Sequence, residues 1–133
     1  MLRRQPRILV IDDEPVARVQ LESLLAEEGY YVTAVASGSE GIAAALRSPP
    51  DLVLCDLLMP GVDGFGVLAR LRAEPATANT PFIFVTASAD GDDSHLGYRL
   101  GADEYITKPY AGDELLAQVS RRIRNLPRGT APA

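Results

Sequence analysis

Five short apolar runs of strand length recur along the chain, separated by segments with the apolar spacing of helices. The first, third and fourth runs are almost continuously apolar. They are Ile8–Ile11, Asp51–Cys55 and Phe82–Thr86. Continuous runs are typical of parallel strands that are buried on both faces. Strands that alternate with helices through short connections form βαβ units, which build a parallel sheet covered by helices. The pattern therefore predicts an α/β protein.

The two remaining runs, Tyr31–Val35 and Glu104–Thr107, predict shorter or more polar strands. With a helix after every strand, the chain is predicted to form a single doubly wound five-stranded parallel sheet of the flavodoxin-like (βα)5 type. The strand order 2-1-3-4-5 is predicted because it places the three most apolar strands in the interior of the sheet. Residues 87–93 are predicted to be a loop, and the glycine-rich fourth helix after it is predicted to be the least stable. In the fifth helix, Leu116, Val119 and Ile123 are expected to face inward.

Residues 1–126 are predicted to be one domain. Residues 127–133, which contain two prolines and no core residue, are predicted to be a flexible tail.

Composition narrows the classes of partner that such a protein can have. Thirteen basic and eighteen acidic side chains give a formal net charge of −5, which argues against direct nucleic-acid binding or binding to anionic membranes. The single cysteine, Cys55, excludes an internal disulfide and suits a reducing, cytoplasmic setting.

Acidic, hydroxyl and lysine side chains lie at the ends of four of the five predicted strands. In chain order these residues are Asp12, Asp13, Asp56, Thr86 and Lys108. In the predicted strand order they converge on one edge of the sheet, where open α/β sheets bind their ligands. Three neighbouring carboxylates repel one another unless positive charge joins them. The sequence therefore predicts a site in which a lysine and a divalent cation balance the acidic groups.

A site of this composition is suited to phosphoryl transfer. Mg²⁺ prefers a few carboxylate oxygens together with water and often bridges to phosphate, and Mn²⁺ is the other candidate metal. Lysine supplies a point charge, and threonine supplies a hydroxyl donor, for phosphate oxygens. A carboxylate can also act as the nucleophile that receives the phosphoryl group.

Each of these residues also has an ordinary structural interpretation. Asp12 and Asp13 suit the cap of the first helix, Thr86 suits the end of a β-branched strand, and Lys108 suits a solvated loop. Taken one at a time, these interpretations are at least as good as the functional one. Only the coincidence of all five residues at neighbouring strand ends favours a functional site.

Four motifs resemble those of the receiver domain of bacterial two-component response regulators. They are Ile11-Asp12-Asp13-Glu14, the segment 56–64, Val85-Thr86-Ala87 and the segment 101–109. The resemblance extends over residues 6–124. It implies a phosphoacceptor signalling domain that takes a phosphoryl group from a sensor histidine kinase or a histidine phosphotransfer protein. It implies no enzymatic activity beyond promotion of the domain's own phosphorylation and slow dephosphorylation.

The resemblance also implies which residues handle the phosphoryl group. Asp56 is implied as the phosphoacceptor, with Lys108 and Thr86 in contact with the phosphoryl oxygens. Tyr105 is implied as the aromatic switch that turns inward when Thr86 moves toward the phosphate. The fourth helix, fifth strand and fifth helix are the expected signalling face and a possible homodimer surface. A cis peptide bond is implied between Lys108 and Pro109.

The implied metal ligands form an overlapping set. Asp13, Asp56 and the backbone carbonyl of Leu58 are implied to bind Mg²⁺ directly, and Asp12 is implied to act through water. Leu58 and Ser88 occupy the two positions that tune the lifetime of the phosphoryl group in this family. Neither side chain carries an acid or amide that would readily orient an attacking water, so the phosphoryl group is predicted to last longer than in fast chemotaxis-type regulators. The alternative is a pseudo-receiver, an interaction module that works without phosphorylation.

Overall fold

The computed structural model describes residues 5–125, in which five strands and five helices alternate. Their bounds are β1 Arg7–Ile11, α1 Pro15–Glu27, β2 Tyr31–Val35, α2 Gly38–Arg47, β3 Leu52–Cys55, α3 Gly64–Arg72, β4 Phe82–Thr86, α4 Gly91–Arg99, β5 Glu104–Thr107 and α5 Gly112–Arg124. The predicted tail, residues 127–133, lies outside the described residues. Within residues 5–125, no helix has the length and apolar character that crossing a bilayer requires.

The five strands form one parallel sheet in the order β2-β1-β3-β4-β5, which confirms the predicted topology. Ile11, the last residue of β1, pairs with Val35 on one side and with Cys55 on the other. Thr86, the last residue of β4, pairs with Thr107 of β5. Because the strands run in one direction and end together, the residues that follow them gather at one edge.

Alternate strand residues enter two cores on opposite faces of the sheet. On one face, Leu9, Val53 and Phe84 belong to a core that includes residues of α2 and α3. On the other face, Ile8 and Leu54 belong to a core that includes residues of α1 and α5. All residues of β3 and β4 are buried, which explains why these strands read as continuous apolar runs.

Helix α4 begins earlier than the sequence pattern predicts. It starts at Gly91, inside the segment 87–93 that was predicted to be a loop. Asp90 is its N-cap, because its carboxylate accepts a hydrogen bond from the Asp92 amide at 2.8 Å. Gly97 is the one residue of α4 that is buried, so the helix carries little apolar periodicity to mark its start.

The inward face of α5 also differs by one position from the prediction. Leu115 and Val119 are fully buried, one helical turn apart. Leu116 and Ile123, which were predicted to face inward, are only partly buried at the margin of the same core. Two adjacent leucines gave the apolar pattern two possible starting points, and tertiary packing selects Leu115.

A close backbone approach fixes the loop between β3 and α3. The Gly64 amide donates a hydrogen bond to the Leu57 carbonyl at 2.9 Å. A Cβ atom on Gly64 would lie 2.5 Å from the carbonyl oxygen of Asp56 and 2.8 Å from Phe84 Cε1. The first turn of α3 therefore presses directly against the backbone of Asp56, and only glycine fits there.

Substitution of Gly64 tests this contact. We expect Gly64→Ala to lower the free energy of unfolding by about 1–3 kcal/mol, because backbone atoms cannot yield as a side chain can. Gly91→Ala is the matched control, since a Cβ atom there would meet no atom within 4 Å. Urea unfolding midpoints compare the two variants with the wild-type chain. Equal stability of Gly64→Ala and Gly91→Ala would show that the loop yields freely.

Candidate functional site

Three carboxylates lie together at the ends of β1 and β3. One oxygen from each of Asp12, Asp13 and Asp56 lies within 4.8 Å of the other two. Asp12 and Asp56 are buried, with 2% and 8% of their surface exposed, and Asp13 is the most exposed of the three. The structure thus brings the three acidic residues together, as their strand positions predict.

Backbone hydrogen bonds hold these residues in register beyond the ends of the strands. The Asp56 amide donates to the Ile11 carbonyl at 2.9 Å, which continues the pairing of β3 with β1. The Lys108 amide donates to the Thr86 carbonyl at 2.8 Å, which continues the pairing of β5 with β4. The peptide bond between Lys108 and Pro109 is cis. The sheet itself therefore positions the side chains at this edge.

Lys108 reaches across the sheet edge to two of the carboxylates. Its Nζ lies 2.7 Å from Asp12 Oδ2 and 3.2 Å from Asp56 Oδ2, and it donates a hydrogen bond to each. Burial opposes the ammonium charge, but the hydrogen bond to Asp12 and the charge of Asp56 outweigh burial and raise the pKa of Lys108. One ammonium faces three carboxylates, so it balances only part of the acidic charge.

Burial disfavours the charged form of Asp12 in spite of its contacts. Its Oδ1 accepts a hydrogen bond from the Glu14 amide at 3.0 Å, and its Oδ2 accepts one from Lys108. Burial nevertheless raises the pKa of Asp12 above its usual value, because desolvation outweighs both hydrogen bonds. Charge on this carboxylate is therefore unfavourable in the folded protein, and an added cation would relieve it.

The carboxylate of Asp56 is shared between Lys108 and the loop that follows β3. Its Oδ2 faces the Lys108 ammonium, and its Oδ1 accepts a long hydrogen bond, 3.3 Å, from the Leu58 amide. The Leu58 side chain points away from the core and is 60% exposed. Asp56 is thus held from two sides, and the residue two positions after it carries an exposed apolar side chain.

Thr86 and Tyr105 form a second group, next to the carboxylates. Thr86 is fully buried, and its Oγ1 accepts a hydrogen bond from the Ser88 amide at 3.3 Å. The Tyr105 hydroxyl donates to the Ser88 carbonyl at 2.9 Å, and its ring lies 5.8 Å from that of Phe84. Burial raises the pKa of Tyr105. The structure therefore joins Thr86 and Tyr105 to each other through Ser88.

The cap of α1 is neither of the two aspartates to which the structural interpretation assigned it. Glu14 is the N-cap, and its carboxylate accepts hydrogen bonds from the amides of Val16 and Ala17. Asp12 and Asp13 are therefore not needed to cap the helix. The sequence analysis missed this role because glutamate is not among the preferred N-cap residues.

Arg18 is a further residue at the site that the sequence analysis missed. Its guanidinium donates a hydrogen bond to the Asp12 carbonyl at 2.9 Å, one helical turn after Glu14. The contact engages the backbone carbonyl of Asp12. Its only signal in the sequence is its position in the first turns of the helix that follows the acidic pair.

The residues present fit a divalent cation. The available groups are oxygen atoms only, supplied by three clustered carboxylates, and hard cations such as Mg²⁺ and Mn²⁺ prefer oxygen ligands. Burial raises the pKa of Asp12 despite its hydrogen bond to Lys108, so a second positive charge beside it would favour its ionised form. The exposure of Asp13 leaves room for the water molecules that Mg²⁺ retains.

Replacement of Asp12 tests whether the burial of its charge destabilises the folded protein. The pKa of Asp12 is raised in the folded protein, so the protonated carboxyl is favoured by folding. The stability that this group contributes is fully present below its ordinary pKa of 3.8 and is lost as pH rises through the raised value. In EDTA at pH 7, Asp12→Asn should therefore raise the free energy of unfolding by about 1 kcal/mol. The gain should shrink as pH falls toward 3.8, where the wild-type carboxyl is protonated.

Asp13→Asn is the control for Asp12→Asn, since it removes the same charge from the more exposed neighbour and should give a smaller gain. Urea unfolding at several pH values compares the variants. A less stable Asp12→Asn protein at pH 7 would mean that the ion pair with Lys108 outweighs desolvation.

Comparison with known proteins identifies relatives over nearly the whole chain. Residues 8–120 match the family model for the response regulator receiver domain. The chain is 41% identical over 123 residues to the DNA-binding dual master transcriptional regulator RpaA of Synechocystis sp., an alignment that covers 92% of this chain and 51% of RpaA. The chain spans about half the length of the curated relatives it matches.

Solved structures of receiver domains also superimpose on nearly the whole chain. The signal receiver domain of a signal transduction histidine kinase from Syntrophus aciditrophicus superimposes with a TM-score of 0.85 at 32% identity, covering 92% of this chain and 93% of that one. The receiver domain of sensor histidine kinase PA1611 from Pseudomonas aeruginosa has a TM-score of 0.85 at 31% identity and covers 92% of this chain and all of that one. That structure has a magnesium ion coordinated in its active-site cleft.

Proposed function

The chain belongs to the response regulator receiver domain family of two-component signalling systems, and we propose that it receives a phosphoryl group on Asp56. The observation that carries the proposal is the position of this carboxylate at the end of β3. β3 lies between β1 and β4, so Asp56 has Asp12 and Asp13 on one side and Thr86 on the other. Asp56 is therefore the carboxylate of the cluster that lies between the acidic pair and the Thr86 hydroxyl.

The contacts of the cluster also favour Asp56 over Asp12 as the nucleophile. Both oxygens of Asp12 are engaged, one by the Glu14 amide at 3.0 Å and one by Lys108 at 2.7 Å. Both contacts of Asp56 are longer, 3.2 Å to Lys108 and 3.3 Å to the Leu58 amide. An Asp56 oxygen is therefore the easier one to release for attack on phosphorus.

The proposed donor is the phosphohistidine of a sensor histidine kinase or a histidine phosphotransfer protein. An Asp56 oxygen forms a bond to phosphorus while the phosphorus–nitrogen bond of the donor breaks. The histidine leaves with the electron pair of that bond and takes up a proton. Lys108 and Thr86 bind the phosphoryl oxygens, the first through its charge and the second through its hydroxyl.

Mg²⁺, with Mn²⁺ as a substitute, is the proposed cofactor, held directly by Asp13, Asp56 and the backbone carbonyl of Leu58, with Asp12 acting through water. When bound, the cation neutralises the charge of the phosphoryl oxygens during transfer. The support for this ligand set is the clustering of the three carboxylates and the partial compensation that Lys108 gives them.

The proposed response begins when Thr86 moves toward the phosphoryl group. A phosphoryl group adds about −1.5 to −2 charges and three acceptor oxygens, which attract the threonine hydroxyl. Tyr105 follows because Ser88 joins it to Thr86 by two hydrogen bonds. The output face is formed by α4, β5 and α5, which is also the proposed surface of a homodimer. Its support is the exposure of Leu96, at 39%, and of Tyr98, at 48%.

The proposed phosphoryl group is long-lived, and catalysis is limited to the domain's own phosphorylation and its slow reversal. The Leu58 side chain is exposed but has no polar group that binds water. The Ser88 hydroxyl donates to Asp93, so its proton is already engaged. Neither residue is placed to orient a water molecule for attack.

Intact mass after incubation with acetyl phosphate and Mg²⁺ tests the proposal. The wild-type chain should gain one phosphoryl group, and Asp56→Asn or an excess of EDTA should abolish the gain. Asp63→Asn is the matched control, because Asp63 caps α3 in the same loop and asparagine preserves the cap. The decay of the added mass after removal of acetyl phosphate measures the lifetime. A folded, Mg²⁺-binding chain that gains no mass would instead be a pseudo-receiver.

A further inference from the structure

Ser88, in the loop between β4 and α4, contacts three parts of the molecule through different groups. Its amide donates to Thr86 Oγ1 at 3.3 Å, and its carbonyl accepts from the Tyr105 hydroxyl at 2.9 Å. Its own hydroxyl donates to Asp93 Oδ2 at 2.7 Å and accepts a long hydrogen bond, 3.4 Å, from the Asp90 amide. The contacts with Thr86 and Tyr105 use the backbone, whereas those with the start of α4 use the serine side chain.

The N-terminal half of α4 has little else that holds it in place. Gly97, in the second half, is the one residue of the helix that is buried, where it packs against Phe84. The C-terminal end is tied down separately, because Arg72 donates a hydrogen bond to the Gly101 carbonyl at 2.9 Å. The first turn carries no buried apolar side chain. Its position therefore depends on the polar contacts that it makes with the β4–α4 loop.

We propose that the hydrogen bond from Ser88 Oγ to Asp93, here called the Ser88 latch, couples the position of Thr86 to that of α4. This inference rests on the proposed function, in which Thr86 moves when Asp56 is phosphorylated. As Thr86 moves, the Ser88 amide follows it, and the latch carries the first turn of α4 along. The helix then turns about its fixed end at Gly97 and Gly101. Ser88 is thus a positioning residue for the signalling face.

The structure offers a substitution that removes the latch and little else. Ser88→Ala keeps the backbone amide that contacts Thr86 and the carbonyl that contacts Tyr105, but it lacks the hydroxyl that binds Asp93. Asp93→Ala breaks the same hydrogen bond from the other side. Ser88→Thr keeps a hydroxyl at the same position and should restore the latch. Ser94→Ala is the control, because the Ser94 hydroxyl donates to the Gly91 carbonyl within the same helical turn and makes no contact with Ser88.

Hydrogen–deuterium exchange of peptides from α4 tests the latch in these variants, with and without acetyl phosphate and Mg²⁺. In the unphosphorylated state, Ser88→Ala and Asp93→Ala should speed exchange in the first turns of α4 about fivefold, the factor expected for one net hydrogen bond. Peptides from α1 should be unaffected, which separates local release from global unfolding. The change in α4 exchange on phosphorylation should be largely lost in both variants and restored in Ser88→Thr, while Ser94→Ala should behave like wild type.

Intact mass of the same samples distinguishes failure of the latch from failure of the proposed function. If the wild-type chain is phosphorylated and Ser88→Ala shows wild-type α4 exchange in both states, the latch is wrong and the proposed function stands. If the wild-type chain takes no phosphoryl group, the proposed function fails and so does the coupling to phosphorylation. Faster exchange in α1 as well as α4 of Ser88→Ala, unrescued by Ser88→Thr, would also overturn the latch.

Discussion

The arrangement at this sheet edge depends on carboxylates crowded around one ammonium. Lys108 donates to Asp12 and Asp56, and these contacts join the end of β5 to the ends of β1 and β3 across the sheet. One ammonium cannot balance three carboxylates, and burial leaves the pKa of Asp12 raised. Added positive charge is therefore expected to stabilise the site, and the proposed phosphoryl group on Asp56 is expected to rearrange it. A local change of charge of this kind can bias an element that has two arrangements.

The parallel sheet makes such crowding possible, and the packing around it limits where a response can travel. Backbone hydrogen bonds beyond the strand ends position Asp56 and Lys108, and α3 packs at Gly64 against the Asp56 backbone. Helix α4, by contrast, buries only Gly97 and is held mainly by polar contacts at its two ends. The proposed route from the carboxylates through Ser88 therefore leads to the helix that is anchored by the fewest buried side chains.

Much of this architecture could be predicted from the sequence, because the strongest signals were physical. Continuous apolar runs marked β3 and β4, and the strand order followed from placing such runs inside the sheet. The convergence of Asp12, Asp13, Asp56 and Lys108 followed from that order in turn. The start of α4 could not be predicted, because polar capping by Asp90 defines it and no apolar pattern does. The choice of Leu115 over Leu116 depends on packing against the sheet, which local spacing does not encode.

The free energy of unfolding in Mg²⁺ and in EDTA, at matched ionic strength, tests most directly whether the carboxylate cluster is built to receive a cation. Mg²⁺ at ten- to thirtyfold above its dissociation constant should stabilise the wild-type chain by about 1–2 kcal/mol. Asp13→Asn should lose most of that increment, because it removes the most exposed of the three clustered carboxylates. Equal stability of the wild-type chain in Mg²⁺ and in EDTA would contradict the interpretation that a cation completes the charge balance of this site.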